Sequence, residues 1–204
     1  MTNLTQASSS RENALILNRF DLTKRLVSKL HAKEAVIGGI GNNNFDLWAN
    51  GQRPENFYML GSMGLTIPIA FGVALAQPKR RVFALEGDGS LLMQLGALGT
   101  VARTSLKNLT MIVFDNGMYQ ITGKQPTLTD TCVDLVSVAR SSGITQSCWA
   151  RDEVHFEQLI DGALTNDGPH FIATRIDDKT PTVSTDRDPV KIRLGFMQAL
   201  SLNQ

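Results

Sequence analysis

Apolar and polar positions along the chain fall into two alternating patterns. Short apolar runs at 35–39, 57–60, 82–85, 109–114, 146–150 and 170–176 have the length and composition of buried strands. Between them apolar residues recur at helical spacing. Leu15, Leu17, Phe20, Leu22, Leu26, Val27 and Leu30 predict an amphipathic helix from residue 13 to about residue 31. Residues 65–76 are apolar on nearly every side, and Pro68 is tolerated in the first turn of that helix. Leu91, Leu92, Leu95, Leu98 and Val101 predict a helix that follows residue 90, and further helices are expected at 134–142, 154–164 and 189–202. Strands alternating with helices predict an α/β protein, a three-layer α/β/α domain with a mostly parallel sheet. Residues 1–12 are polar and Ser-rich and are expected to be disordered, with residues 13–204 forming one domain.

Composition narrows the class. At 204 residues and 42% hydrophobic, the chain can bury one sizeable core. The net charge is +1 and the basic residues are scattered, which argues against nucleic acid as a partner. No apolar run approaches the roughly 20 residues needed to span a bilayer, and the first residues lack the apolar core of a signal peptide, so a cytoplasmic location is expected and no membrane association. Cys132 and Cys148 show no metal spacing and are read as reduced.

The chemistry concentrates in residues 82–118. A strand ends in Gly87-Asp88-Gly89-Ser90, a helix follows, and a second strand ends in Asp115-Asn116-Gly117. This is a parallel βαβ unit, so both turns lie at the same edge of the sheet, where open α/β folds bind ligands. Asp88 and Asn116, just under thirty residues apart, become neighbours there. Gly87 and Gly89 allow close backbone approach, and amides at a helix start favour phosphate. Asp88 beside phosphate needs a cation between them. Asp88, the Asn116 oxygen and a carbonyl at Met118 are the hard ligands that Mg2+ takes. An Asp-Gly turn and an Asn-Gly turn that merely end two strands would explain either feature alone.

The pair at this spacing resembles the motif of thiamine-diphosphate enzymes. The resemblance runs from about residue 13 to the end. It is closest to the β, or cofactor-diphosphate, subunit of sulfopyruvate and phosphonopyruvate decarboxylases, through RPENFYMLGSMG, ALAQP, GDGSLLMQLGALGT and DNGMYQITGKQPT. It implies that Asp88, Asn116 and the Met118 carbonyl hold Mg2+, and that Gly87, Gly89 and Ser90 line the diphosphate of thiamine diphosphate. Where Asp115 stands many members have Asn, a position that is not usually a ligand. The resemblance also implies that Met63, in Gly61-Ser62-Met63-Gly64, wedges the cofactor into its bent form, that the Gly61 carbonyl takes the cofactor's amino group, and that Ser62 lies beside them. Asn42 and Asn43 are candidates for diphosphate contacts, and Tyr119, with the loop 119–125, for a cofactor or substrate contact.

The resemblance further implies a glutamate that protonates the pyrimidine. In such enzymes it belongs to a separate pyrimidine-binding domain, and none of Glu34, Glu55 and Glu86 stands in a matching context. The expectation is therefore the β subunit of a two-chain decarboxylase of a small 2-oxo acid, in a homo- or hetero-oligomer whose α subunit brings the glutamate. A related decarboxylase or carboligase on another 2-oxo acid, or a non-catalytic protein that keeps the fold, are the alternatives.

Overall fold

The computed structural model describes residues 10–202. Its main sheet has six strands: β1 (Ala35–Gly38), β2 (Asn56–Tyr58), β3 (Val82–Gly87), β4 (Leu109–Asp115), β7 (Gln146–Trp149) and β8 (His170–Arg175). They run in the order β2-β1-β3-β4-β8-β7, and every pairing is parallel. Successive side chains leave a strand on opposite faces. Val82 and Ala84 of β3 therefore join one core and Phe83 and Leu85 the other. The first core is covered by α3 (Thr66–Ala76), α5 (Gly96–Thr104), α6 (Leu135–Ser141) and α8 (Pro189–Leu202). The second is covered by α1 (Arg19–Lys29), α2 (Asn42–Ala49) and α7 (Glu153–Thr165). The expected three-layer α/β/α arrangement is what forms.

The chain departs from its sequence pattern in places that bear on the site. The first helix starts at Arg19, not at residue 13. Asn18 caps it by accepting the Asp21 amide at 2.9 Å, and Leu17 is instead paired with Ile176 at the end of β8. Leu15 and Ile16 are exposed as a result. The helix expected after residue 90 is broken into α4 (Asp88–Leu92) and α5. The break brings Gly96, a poor helix-interior residue by about 1 kcal/mol, to the start of the second piece. The polar stretch after β1 that carries Asn42 and Asn43 opens helix α2 directly, with Gly41 at φ +72° as its N-cap. The loop after β4 folds into a two-stranded antiparallel hairpin, β5 (Met118–Tyr119) and β6 (Gln125–Pro126), followed by a 3-10 turn, Leu128–Asp130. Of the segment expected to be disordered, residues 1–9 lie outside the described residues. The order begins before residue 13, because Arg11–Asn13 form a 3-10 turn and Arg11 pairs with Asp115 at 2.8 Å. No helix among the described residues is long and apolar enough to cross a membrane.

Helix α7 illustrates how local chemistry fixes an element. Asp152 precedes it with extended backbone, and its carboxylate accepts the His155 amide at 2.7 Å. Phe156, Ile160 and Ala163 then recur on the buried face. Asp152→Ala is expected to cost about 1 kcal/mol through the lost cap, read as a lower urea midpoint with an unchanged slope.

Candidate functional site

Because the strands are parallel, the segments that leave β1, β3 and β4 emerge at one edge. Gly87 pairs with Phe114 across β3 and β4, which sets Asp88 beside Asp115 and Asn116. A cavity of about 160 Å³ opens there. Its walls bring together Asn42, Asn43, Met63, Gly87, Asp88, Gly89, Ser90, Asn116, Met118 and Tyr119, residues drawn from four separate stretches of the sequence. Gly61 and Ser62 are not brought to it. Both are exposed and line a neighbouring open groove with Phe57, Leu65 and Pro189.

Asp88 is the electrostatic centre of the cavity. Its carboxylate is only 3% exposed, and its pKa is pushed up to about 6, chiefly by burial and further by the charge of Asp115. The Thr127 hydroxyl donates to Oδ2 at 2.6 Å, and the Thr129 hydroxyl, 3.1 Å from the same oxygen, shares its one proton with Asp115 at 2.7 Å; both hold part of that rise back. Among the described residues no basic side chain pairs with it. Asp115 is in the opposite condition. Arg11 donates to its Oδ2 at 2.8 Å, and its Oδ1 accepts the Gly117 amide at 3.0 Å and the Thr129 hydroxyl at 2.7 Å. One buried carboxylate thus has a cation and the other wants one, which is the donor set that a cation arriving with phosphate would complete.

Glu86 lies under the same cavity. It is 1% exposed, its Oε1 accepts the Gly87 amide at 3.0 Å, and its Oε2 has no partner. Burial pushes it up to about 7, so it holds a proton more readily than an ordinary glutamate. Ser90, expected to face phosphate, lines the cavity but also accepts the Gly64 amide on its Oγ at 2.7 Å. Gly64 has φ +85°, and a Cβ there would stand 2.8 Å from the Gln94 Cβ, so glycine is required for the turn that carries Met63 to dock on α4.

The mouth of the cavity is bridged by amides. Gln120 accepts on its Oε1 from Asn42 at 2.8 Å and from Asn116 at 3.3 Å, and its own Nε2 donates to the Asp178 carbonyl. The Asn116 oxygen accepts the Met118 amide at 3.1 Å. Tyr119 packs on Gly89 so closely that a Cβ there would lie 2.4 Å from the ring. Arg19 also reaches the cavity wall, paired with buried Asp46 at 2.6 Å. Thr127, Thr129, Arg19 and the part played by Glu86 are additions to the sequence reading, and none of them carried a signal there; Gln120 belongs to the loop 119–125 that the sequence singles out. The two cysteines are both free, and burial pushes the Cys148 thiol up to about 11, away from reactivity.

Residues 39–174 match the family described as thiamine pyrophosphate enzyme, C-terminal TPP binding domain. The chain is 42% identical over 157 residues to sulfopyruvate decarboxylase subunit beta of Methanothermobacter thermautotrophicus, covering 77% of this chain and 80% of that one. It is 38% identical over 151 residues to phosphonopyruvate decarboxylase of Streptomyces hygroscopicus, covering 73% of this chain and 37% of that longer protein. Among solved structures, a protein of Mycobacterium smegmatis described as a thiamin diphosphate-dependent enzyme superposes with a TM-score of 0.68 at 24% identity, over 78% of this chain and 32% of that one. That likeness is one of fold.

The two raised carboxyls set a pH dependence for the cation-free chain. Each binds its proton more tightly folded than unfolded, so each contributes stability that is present at low pH. That stability is lost as pH rises through about 6 for Asp88 and about 7 for Glu86. The thermal midpoint is expected to fall between pH 5 and pH 7.5, and Glu86→Gln to flatten most of the upper part of that decline. An unchanged slope in the variant would assign the decline to another group.

Proposed function

The chain belongs to the thiamine pyrophosphate enzyme family, as its C-terminal cofactor-binding domain, and from that premise we propose that it is the β subunit of a two-chain cytoplasmic 2-oxo-acid decarboxylase. The favoured substrate is a small 2-oxo acid with a sulfonate or phosphonate tail, the class that the names of its relatives carry. The observation that carries the reading is Asp88, a buried carboxylate without a protein cation, facing Asn116 and Met118 across one cavity.

In this reading Asp88, the Asn116 oxygen and the Met118 carbonyl hold Mg2+, and oxygens of the diphosphate complete its shell. The diphosphate lies against the backbone of Gly87, Gly89 and Ser90. Helix α4 is only five residues long, so individual amides contribute more there than a helix dipole does. Asn42 and Asn43, at the start of α2, are the amide donors on the other side. Met63, half-buried on a turn anchored through Gly64 to Ser90, backs the bend of the cofactor. Gly61 and Ser62 lie outside this cavity, on the neighbouring groove, and would meet the pyrimidine end there. When bound, thiamine diphosphate supplies the electron sink for loss of CO2. This chain's residues bind and orient it and exclude water from the metal side.

The rest of the site belongs to a partner in this reading. A cavity of about 160 Å³ is well below the roughly 300–1,000 Å³ of pockets that enclose a ligand of this size. Leu65, Leu75 and Met93, each at least 41% exposed, add apolar surface around helix α3 that suits a subunit contact. Glu34 is held by the His31 amide and Glu55 lies 3.8 Å from Arg53, neither at the cavity. Glu86 does line the cavity, and it is by resemblance to two-chain decarboxylases that the activating glutamate is assigned to an α subunit that binds the pyrimidine.

Two outcomes test this. Asp88→Ala is expected to lower Mg2+-dependent binding of thiamine diphosphate by more than about 100-fold in calorimetry, with the circular dichroism spectrum unchanged. Equal affinity in wild type and variant would remove Asp88 from the site. The purified chain with saturating thiamine diphosphate and Mg2+ is expected to decarboxylate sulfopyruvate and phosphonopyruvate only when its partner subunit is added, a gain of about 10²–10⁴-fold for a positioned acid–base group. Full turnover by the chain alone would transfer the activating role to Glu86, the glutamate that lines the cavity.

A further inference from the structure

The side chains that hold Asp88 come from an unexpected quarter. After β6 the chain turns back under the cavity. The Thr127 amide donates to the Gly117 carbonyl at 2.9 Å, which pins this return segment to the turn that follows β4. The Thr127 hydroxyl then donates to Asp88 Oδ2 at 2.6 Å, and the Thr129 hydroxyl stands 3.1 Å from the same oxygen. The two hydroxyls are 2.8 Å from each other, and Thr129 also donates to Asp115 Oδ1 at 2.7 Å. Both threonines are only 2% exposed. Their contacts fall on Oδ2, and among the described residues no side chain donates to Oδ1, the oxygen left for a cation; the Gly89 amide also reaches the carboxylate.

The terminal torsion of an aspartate is soft and roughly two-fold, so a carboxylate left alone samples a wide arc. A metal ligand needs a fixed direction, and groups that hydrogen-bond to a ligating carboxylate supply it. Thr127 meets that need at short range in a place closed to water. The fit leaves no slack: a Cβ on Gly89 would lie 3.1 Å from the Thr127 methyl as well as against Tyr119. Thr129 stands one step behind, between Asp88 and Asp115. Arg11 already neutralises Asp115, so the bridging hydroxyl links Asp88 to a carboxylate that does not compete for the cation.

We propose that Thr127 is a positioning residue for the metal ligand Asp88, with Thr129 as its support, and that together they aim Oδ1 at the cation. The proposal rests on the reading that Asp88 holds Mg2+. It makes cation affinity depend on the hairpin of β5 and β6, because that hairpin delivers Thr127 to the carboxylate.

The test uses the full-length chain with its partner subunit, saturated with thiamine diphosphate, and titrates Mn2+ by electron paramagnetic resonance and Mg2+ by calorimetry. Thr127→Val keeps the shape and removes the hydroxyl. It is expected to weaken both cations by about 10–100-fold, and Thr127→Ser to restore affinity to within about three-fold of wild type. Thr129→Val, which removes the longer contact, one whose proton is shared with Asp115, is expected to weaken binding less than Thr127→Val does, by about three- to ten-fold. A residue with only a packing role would show the reverse, a lower thermal midpoint in Thr127→Val with unchanged cation affinity, and that result would overturn the proposal. Should Thr127→Val not fold, Thr127→Ser and Thr129→Val still decide. Loss of affinity in the serine variant, or none in Thr129→Val, would overturn it. Asp88→Asn is titrated in parallel. If it binds both cations as wild type does, the ligand reading itself fails. If it loses them while Thr127→Val does not, Asp88 remains the ligand and only the positioning role is lost.

Discussion

The structure depends on one constraint, the parallel register of β1, β3 and β4. Parallel strands force every strand to end at the same edge, and the backbone groups that leave that edge have no ladder partners of their own. The residues delivered there are Asn42, Asp88 and Asn116, each following its strand by a few positions at most. Had β4 run the other way, Asn116 would stand a strand's length from Asp88 and no cation could touch both. The alternation of Val82, Ala84 and Phe83, Leu85 between two cores keeps that register fixed, since a slip of one residue would turn each core set to the wrong face.

What the fold assembles at this edge is an excess of negative charge in a place with little water. Glu86, Asp88 and Asp115 are all buried within one strand end of each other. Removing a carboxylate from water is costly unless it is paired or protonated. The chain resolves the three cases differently. Asp115 is paired with Arg11, Glu86 is inclined to stay protonated, and Asp88 is held by neutral donors, the threonine hydroxyls and the Gly89 amide. Of the three, Asp88, which takes hydrogen bonds from Thr127, Thr129 and the Gly89 amide but pairs with no basic side chain among the described residues, is the charge that something outside the chain can satisfy, and the family to which the chain belongs binds thiamine pyrophosphate at its matching domain.

Much of this was legible in the sequence, for physical reasons. Continuous apolar runs such as 109–114 have few other uses than a buried strand, and Gly87-Asp88-Gly89 is an expensive choice unless backbone must approach a ligand. The strands, α3, α6, α7 and α8 followed from such patterns with small shifts of their ends. The first helix was overextended because Leu15 and Leu17 fit its period, while Leu17 gains a sheet-edge partner in Ile176 that no periodicity reveals. The break between α4 and α5 was hidden by Leu92 and Leu95, which suit one helix as well as two. Thr127 and Thr129 were illegible for a different reason. Threonine is an ordinary loop residue, and only the return of a hairpin onto Gly117 gives these two a carboxylate to face.

The pairing of Arg11 with Asp115 ties two distant positions in the sequence into one unit of change. Asp115 sits where the resemblance to thiamine-diphosphate enzymes leads one to expect asparagine in many members, and an asparagine there would need no cation. Arg11, 23% exposed and drawn in by one carboxylate, would then have little to hold it. Through evolution the two positions are therefore expected to exchange together, aspartate with arginine and asparagine with almost anything. The turn that carries Arg11 should accordingly drift in sequence wherever position 115 is neutral, and stay put wherever it is charged.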